Sequence, residues 1–254
     1  MNIKLDDKVA IITGSIQGIG ADIARIFAEN GASVIINNHR EGDKLKKVAE
    51  SIANDTDSKV KPVVADVTKK EEGKKLVDAA KDLGGVDILV NNAGGLIERV
   101  PVAECDEEHF QKVIDVNTKG AFLMSSLVLP DMKEKGSGKI INLSSQAAHD
   151  GGGGGAAAYA ASKGAIWTFT KSLCKEVASD GITVNAISPG FILSTDFHDT
   201  FTPTDVQEEV VKKIPLGRAG EARDVAKVAL FLASNLSDYL SGESIQVNGG
   251  LFLH

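Results

Sequence analysis

The sequence predicts an α/β fold in which a doubly wound parallel sheet forms a single domain. Short runs rich in Val and Ile alternate along the chain with longer amphipathic segments. Nearly continuous apolar strands separated by helices are typical of a parallel sheet covered on both faces. The predicted strands span residues 9–13, 33–37, 60–65, 86–90, 139–143, 183–187 and 244–247, and the predicted helices span 19–29, 44–53, 71–82, 108–135, 157–179 and 222–233.

Length and composition agree with one domain over residues 1–254. Hydrophobic residues make up 43% of the chain, and no linker-like stretch or fixed repeat divides it. The 28 basic and 35 acidic residues give a net charge of -7 without a basic stripe, which argues against a nucleic-acid partner. Two cysteines without metal-ligand spacing, and no long apolar run, predict no metal site, no membrane segment and a cytoplasmic location.

A glycine-rich turn follows the first predicted strand and opens the first predicted helix. Glycines let the backbone approach a pyrophosphate, and a helix N-terminus offers N–H donors and positive potential. The strand–turn–helix context makes this cluster more specific than glycines alone. The predicted cofactor-binding residues of the turn are Gly14, Ser15, Gln17, Gly18, Ile19 and Gly20.

The end of the second predicted strand bears on the choice between NAD and NADP. A carboxylate at this point binds the ribose hydroxyls of NAD, whereas a cation accepts the 2′-phosphate of NADP. His39 and Arg40 favour NADP, but the adjacent Glu41 would repel a phosphate. Both cofactors stay open, so the sequence predicts NAD(P) in contact with Asn38, His39 and Arg40.

The third and fourth predicted strands end in polar residues that would meet at the same edge of the sheet. Asp66 could accept the adenine amino group or cap the helix that follows it. The fourth strand runs into amides and a glycine, which suit contact with the adenosine ribose. The predicted cofactor-binding residues here are Asp66, Val67, Asn92, Ala93 and Gly94.

Tyr159 and Lys163 stand four residues apart in a predicted helix, so their side chains share one face. A phenol loses its proton near pH 10, and a fixed cation nearby favours the phenolate. The spacing therefore predicts a phenol whose pKa Lys163 lowers toward neutrality, and hence a proton donor and acceptor.

In this order, the features resemble the short-chain dehydrogenase/reductase family over nearly the whole chain. The resemblance is carried by the glycine turn, Asn91-Asn92-Ala93-Gly94, Asn117, Ser145, Tyr159, Lys163 and Pro189-Gly190. It implies a Rossmann fold and an enzyme that interconverts carbonyl and alcohol groups with NAD(P). It also implies a catalytic tetrad of Asn117, Ser145, Tyr159 and Lys163, with Ser144 as the alternative serine.

The same resemblance implies roles around the reacting atoms. Tyr159 would exchange a proton with the substrate oxygen, which Ser145 would hydrogen-bond. Lys163 would also hold the nicotinamide ribose, and Asn117 would bind a water that links Lys163 to solvent. The remaining cofactor contacts would come from Pro189, Gly190, Ile192 and Ser194.

Polar residues near the expected active site predict a hydroxylated or carboxylated carbonyl substrate. The substrate lid is expected at about residues 191–215, and Gln146, His149 and Asp150 follow the catalytic serine. The chain is similar to reductases of deoxy-hexulose uronates, mainly through residues 197–202. A keto sugar or sugar acid is therefore the predicted substrate, and Arg99, Gln146, His149 and His198 are the predicted substrate-binding residues.

Two other functions stay open. One is reduction of a 3-oxoacyl thioester on a carrier protein, because many relatives carry that name. The acidic run at residues 104–108 counts against an acidic carrier as partner. The other is a non-catalytic dinucleotide-binding sensor, which would not need the acid–base pair. The resemblance also implies a homotetramer in which the long helical segments 108–135 and 157–179 pair with symmetry mates.

Overall fold

The computed structural model describes residues 3–40, 42–193 and 200–253. Seven strands form one parallel sheet in the order β3-β2-β1-β4-β5-β6-β7, which confirms the predicted doubly wound α/β fold. The direction of strand order reverses between β1 and β4, where open α/β sheets bind ligands. The strands are β1 (Val9–Ile12), β2 (Ser33–Asn38), β3 (Val60–Val64), β4 (Ile88–Asn91), β5 (Gly138–Leu143), β6 (Ile182–Pro189) and β7 (Ser244–Val247).

Helices connect the strands and cover both faces of the sheet. They are α1 (Gly18–Glu29), α2 (Gly42–Thr56), α3 (Lys70–Lys81), α4 (Glu107–Ile114), α5 (Gly120–Lys135), α6 (Ala147–Asp150), α7 (Ala157–Val177), α8 (Thr204–Lys213) and α9 (Ala222–Ala233). No helix in the described part of the chain is long and apolar enough to cross a membrane.

Two apolar layers hold the helices against the sheet. On one face, Phe27 of α1 and Leu45 of α2 pack with residues of α9, and all are buried. On the other face, Leu76 of α3, Met124 of α5 and Leu173 of α7 form the second layer. The alternating side chains of the central strands contribute to both layers, because successive residues point to opposite faces. The loops at the carboxyl ends of the strands are thus held at one edge.

The predicted helix over residues 108–135 is helical but not continuous in the structure. A π-helical turn, Asp115–Lys119, separates α4 from α5. A π turn accommodates one extra residue and often lies at a functional site. The regular apolar pattern gave no signal for this insertion. The short helix α6 and the helix α8, which lies within the predicted lid, were also not predicted as helices.

Two glycines with positive φ face each other where α5 leads into β5 and where α7 leads into β6. Gly136 has φ +64° and Gly181 has φ +73°. A Cβ atom on Gly181 would collide with the carbonyl oxygen of Gly136, whereas one on Gly136 would meet no described atom within 4 Å. The two positions therefore share a backbone conformation and differ in the space around them.

We expect Gly181→Ala to destabilise the fold more than Gly136→Ala. Left-handed backbone costs an L-residue about 1–2 kcal/mol in both variants. Gly181→Ala adds an overpacking cost of about 1–3 kcal/mol, because the backbone of residue 136 must move. Equilibrium unfolding in urea measures both free energies of unfolding. Equal losses in the two variants would contradict the contact between these turns.

Candidate active site

A cavity of about 920 Å³ opens at the carboxyl ends of the strands. It is within the range of ligand-binding pockets, about 300–1,000 Å³. Of the residues that the sequence predicts for the cofactor, the lining includes Gly14, Gln17, Gly18, Ile19, Gly20, Asn38, His39, Asp66, Val67, Asn92, Ala93, Gly94, Tyr159, Lys163, Pro189, Gly190 and Ile192. Ser145, Arg99 and Gln146 line the same cavity. Ser194 and His198 lie outside the described residues.

The glycine turn between β1 and α1 lies directly against the segment after β4. Gly14 has φ +62°, and a Cβ atom there would lie 2.8 Å from Cα of Ala93. The side-chain amide of Asn92 donates hydrogen bonds to the carbonyl oxygens of Thr13 and Gly14, both at 2.9 Å. Asn92 therefore holds the turn rather than only facing a ligand. Glycine is required at position 14 by both the conformation and the close approach.

Ser15 does not line the cavity, contrary to the prediction that it contacts the cofactor. Its side chain is buried beneath the turn, where Oγ donates to the carbonyl oxygen of Ile12 at 2.7 Å. The same oxygen accepts the backbone N–H of Asn37 at 2.9 Å. Ser15 thus ties β1 to β2. The sequence indicates a small polar residue in a turn but not the direction of its side chain.

Asn37 is a residue of this site that sequence reasoning missed. Its buried side chain lines the cavity and its amide donates to the carbonyl oxygens of Val63 and Ala65, at 3.1 and 3.0 Å. Its Oδ1 accepts the N–H of Gly14 at 3.3 Å. An amide at the end of a buried strand was the available signal, because a buried polar group needs hydrogen-bond partners.

Asp66 both lines the cavity and stabilises the turn before α3. Its Oδ1 accepts the backbone N–H of Thr68 at 3.0 Å and the hydroxyl of Thr68 at 2.7 Å. Burial on its own would raise the pKa of Asp66, but the hydrogen bonds from Thr68 and Lys69 outweigh burial and lower the pKa. Both interpretations of Asp66 from the sequence, as a cap and as a cavity acceptor, are therefore compatible with its position.

The end of β2 presents polar and charged groups to one side of the cavity. Asn38 and His39 line it, whereas Arg40 is exposed and does not belong to the lining. Lys44 of α2 donates a hydrogen bond to Oε1 of Gln17 at 2.9 Å. Sequence reasoning missed Lys44, although its position in the first turn of a helix after β2 places it beside the glycine turn.

Ser145, Tyr159 and Lys163 meet at one place in the cavity. The phenol of Tyr159 is hydrogen-bonded to the Ser145 side chain. The Lys163 amine lies 5.7 Å from the centre of the Tyr159 ring and donates to the carbonyl oxygen of Leu143 at 2.8 Å. Ser144, the alternative serine, is buried and donates to the backbone carbonyl of Lys163 at 3.0 Å. The hydroxyl that faces Tyr159 is therefore that of Ser145.

Burial dominates the protonation of both members of the pair. It raises the pKa of the Tyr159 phenol, and the hydrogen bond with Ser145 opposes that rise. It lowers the pKa of Lys163 to about 8. The prediction that Lys163 lowers the phenol pKa is therefore wrong for this structure. Desolvation disfavours phenolate and ammonium alike, and sequence spacing carries no information about desolvation.

Asn117 lies in the π turn, behind the cavity wall. Its side-chain amide donates to the carbonyl oxygens of Gly95 and Val113, at 2.8 and 2.9 Å, and its Oδ1 accepts the N–H of Gly95 at 3.0 Å. Because Gly94 has no side chain, Asn117 and Lys163 both approach the space beside it: a Cβ atom there would collide with Oδ1 of Asn117 and lie 3.2 Å from the Lys163 amine. Asn117 thus connects the irregular helix to the segment after β4.

Arg99 joins three segments on the substrate side of the cavity. Its Nε donates to the carbonyl oxygen of Phe201 at 3.0 Å, and its Nη1 donates to that of Gly154 at 2.9 Å. The glycine-rich loop at residues 151–155 therefore packs against the guanidinium. From the expected lid, Val210 of α8 lines the cavity, as does Leu251 near the C-terminal end of the described chain. Sequence reasoning did not identify Val210 or Leu251.

His149 is not among the residues that line the cavity, so the structure does not bring it together with the other predicted substrate-binding residues. Its ring packs 4.4 Å from that of Trp167 and 5.7 Å from that of Phe252. Its Nε2 lies 2.9 Å from Nε2 of Gln246. Helix α6 turns this residue away from the cavity and toward α7 and β7, whereas Gln146 and Asp150 line the cavity. Sequence proximity to Ser145 did not distinguish these two sides.

The lowered pKa of Lys163 predicts a pH dependence of stability. Between about pH 8 and pH 10.5 the unfolded chain binds more protons than the folded chain, so this residue makes the free energy of unfolding rise with pH. We expect the free energy of wild type minus that of Lys163→Met to increase by about 3 kcal/mol across this window.

Urea unfolding at several pH values measures this difference. Lys175→Met is the matched control, because Lys175 is exposed on the same helix. The free energy of unfolding of wild type minus that of Lys175→Met should change by less than about 1 kcal/mol over the same pH window, as expected for a surface charge. If the difference in free energy of unfolding between wild type and Lys163→Met did not change with pH, that result would contradict the burial of the Lys163 amine.

Comparisons with known proteins agree with this geometry. Residues 14–252 match the family model described as enoyl-(acyl carrier protein) reductase. The chain is 39% identical to 3-oxoacyl-[acyl-carrier-protein] reductase FabG of Haemophilus influenzae, over 98% of this chain and 100% of that protein.

Two solved structures extend the comparison. Gluconate 5-dehydrogenase from Burkholderia cenocepacia, in complex with NADP and tartrate, is 34% identical, with a TM-score of 0.90 over 98% of this chain and 96% of that chain. A 7α-hydroxysteroid dehydrogenase complexed with NADH and 7-oxo glycochenodeoxycholic acid is 34% identical, with a TM-score of 0.92 and the same coverage. The chain therefore belongs to the short-chain dehydrogenase/reductase family, whose enzymes act on CH–OH and C=O groups.

Proposed function

We propose that this protein is an NAD(P)-dependent oxidoreductase that interconverts the carbonyl and alcohol forms of a polar keto sugar or sugar acid. The observation that carries the proposal is the hydrogen-bonded pair of Ser145 and Tyr159 beside the buried Lys163, in one cavity with the glycine turn. A deoxy-hexulose uronate, which combines hydroxyl groups and a carboxylate with a carbonyl, is the best candidate substrate.

The cofactor end of the cavity fits NAD(P). Helix α1 starts at Gly18 without an acidic residue in its first turn, and the side chain of Gln17 does not cap it. Its first N–H groups therefore suit a pyrophosphate. The complexes of related proteins with NADP and with NADH support the same cofactor here. Arg40, and Lys44 beside Gln17, would attract the 2′-phosphate of NADP. NAD and NADP are both candidate cofactors.

The acid–base chemistry belongs to the side chains. Hydride is supplied or accepted by the bound nicotinamide ring. During reduction, Tyr159 gives its proton to the substrate oxygen, while Ser145 donates a hydrogen bond that stabilises the charge developing there. The Lys163 amine, with a pKa of about 8, is largely protonated near neutral pH and would donate to the nicotinamide ribose. Asn117 bonds the backbone of Gly95, next to Gly94 beside this amine, and so holds that wall of the site in place.

The substrate side of the cavity supports a polar substrate. Arg99, Gln146 and Asp150 line it. Arg99 offers a planar set of N–H donors that suits a carboxylate. The gluconate 5-dehydrogenase relative is in complex with tartrate, which shares hydroxyl and carboxylate groups with the proposed substrate.

A second candidate is reduction of a 3-oxoacyl thioester, which the name of the 39% identical relative favours. The local charge opposes an acidic carrier protein as the donor of that thioester. Glu104, Asp106, Glu107 and Glu108 are all exposed at and before the start of α4. Like charges across an interface suppress association.

We also propose that the chain forms a homotetramer. Phe110 and Phe122 are exposed large apolar residues on α4 and α5, and the ring of Phe122 lies 5.8 Å from that of Phe169 on α7. Exposed aromatic residues in one region are typical of an interface. Light scattering that found a monomer at micromolar concentration would exclude this assembly.

We expect Tyr159→Phe to lower kcat for carbonyl reduction by about 100-fold or more, because the proton donor is lost. Binding of NAD(P)H should stay within about threefold, since the ring remains. Tyr239→Phe is the matched control, because Tyr239 is fully exposed. Unchanged turnover in Tyr159→Phe would reject the assigned donor, whereas loss of cofactor binding would indicate a folding defect.

A substrate panel tests the proposed class, and Arg99→Leu tests the carboxylate contact. NADH and NADPH oxidation is followed with a deoxy-hexulose uronate, neutral keto sugars and an acetoacetyl thioester. We expect Arg99→Leu to raise KM about tenfold or more for the uronate and much less for the neutral sugars, because charge-assisted hydrogen bonds are lost. Arg218→Leu, at an exposed arginine outside the cavity lining, is the control.

Each result of the panel has one meaning. Turnover of the thioester without turnover of any sugar would replace the proposed function by the second candidate. Turnover of the sugars with equal effects of Arg99→Leu on charged and neutral compounds would keep the function and reject the role of Arg99. Bound cofactor without turnover of any carbonyl compound would favour the sensor.

A further inference from the structure

Asp150 is a carboxylate at the rim of the cavity that the acid–base chemistry does not use. It is the last residue of the short helix α6, is exposed, and lines the same cavity as Ser145 and Tyr159. Its oxygens therefore lie where a bound substrate can reach them.

Two hydrogen bonds fix the Asp150 carboxylate. Its Oδ2 accepts from Nε2 of Gln146 at 2.7 Å, and its Oδ1 accepts from the backbone N–H of Gly152 at 2.8 Å. Gln146 is itself held by its backbone N–H, which donates to the carbonyl oxygen of Pro189 at 2.9 Å. Each carboxylate oxygen can accept about two hydrogen bonds. Each oxygen of Asp150 thus has one donor from the chain and capacity for another.

The orientation of the Gln146 amide follows from the same contact. An ionised carboxylate only accepts hydrogen bonds, so the NH₂ group must face Asp150 and Oε1 must face the other way. Oε1 of Gln146 is buried and has no hydrogen-bond partner among the described residues. It lies on the side of Gly190, 2.8 Å from where a Cβ atom of that residue would be. The Asp150 carboxylate therefore offers only hydrogen-bond acceptors to a bound substrate.

We propose that Asp150, positioned by Gln146, accepts hydrogen bonds from hydroxyl groups of the substrate and so determines specificity for hydroxylated carbonyl compounds. This inference rests on the proposed function and names the group that recognises its substrate class. A hydroxyl supplies the donor that the carboxylate needs. An acyl chain supplies no donor, and Asp150 would repel a substrate carboxylate placed against it.

The proposal assigns different parts of a sugar acid to different side chains. Hydroxyl groups lie at Asp150, and a carboxylate lies at Arg99, whose guanidinium donates to the carbonyl oxygens of Phe201 and Gly154. A group with only acceptors suits Arg99, and a group with donors suits Asp150. The reacting carbonyl remains at Ser145 and Tyr159.

The test uses two ketones with one carbon skeleton, erythrulose and 2-butanone. The first carries three hydroxyl groups and the second none. We expect wild type to favour erythrulose in kcat/KM, and Asp150→Leu to lower the ratio of the two kcat/KM values at least tenfold. Asp150→Asn, which keeps the shape and one acceptor oxygen, should lower this ratio by an intermediate factor.

Gln146→Leu tests positioning. It should raise KM for erythrulose several-fold with little change in kcat, whereas collapse of α6 would lower kcat on both ketones. Asp55→Leu is the matched control for Asp150→Leu, because Asp55 is an exposed carboxylate that accepts a hydrogen bond from Arg25 at 2.6 Å and does not belong to the cavity lining. Its ratio should stay within about twofold of that of wild type.

The outcomes separate the inference from the function on which it rests. If wild type reduces erythrulose and the Asp150 variants keep the wild-type ratio, the inference is overturned and the proposed function stands. If wild type reduces an acetoacetyl thioester but neither erythrulose nor any keto sugar, both are overturned. A ratio that falls in Asp150→Leu and Asp150→Asn but not in Asp55→Leu supports the inference.

Discussion

The burial of the Lys163 amine is the constraint on which the site depends. A charged amine away from water needs partners, and Lys163 is tied to the carbonyl oxygen of Leu143 at the end of β5. The hydroxyl of Ser144 donates in turn to the backbone of Lys163. Helix α7 is thus bonded to the carboxyl end of β5, where the cavity opens. Tyr159, one helical turn earlier, is placed beside Ser145 by the same attachment.

A second group of contacts fastens the cofactor end. Asn37 of β2 and Asn92 after β4 hold the glycine turn from the two strands that flank β1, and Ser15 joins β1 to β2 beneath it. These side chains bond the backbone of the turn, including the N–H of Gly14, and no described side chain caps the start of α1, whose first N–H groups suit a ligand. The described residues on the substrate side lie on loops and a short helix. They depend on short helix α6, the glycine-rich loop and Arg99, which is typical of segments that differ among proteins sharing one fold.

The fold and much of the site could be predicted from the sequence, because the patterns that indicate them are periodic or local. Apolar strands alternating with amphipathic helices predicted the sheet, and the four-residue spacing predicted that Tyr159 and Lys163 share a face. The failures have another origin. The directions of Ser15 and His149 and the raised phenol pKa of Tyr159 depend on packing between distant segments. The π turn at Asn117 left the apolar pattern intact.

That π turn has a consequence for how α5 meets the sheet. Each residue advances an α-helix by about 100°, so the extra residue in Asp115–Lys119 sets the rotation of everything after it. Met124 and Val128 are fully buried in the register that results, while Phe122 faces outward. Removing one residue while the π turn stayed in place would rotate α5 by about 100° and move Met124 and Val128 away from the core. The π turn thus sets which face of α5 is buried. Insertions and deletions in this segment should therefore be far less tolerated than changes of side chain.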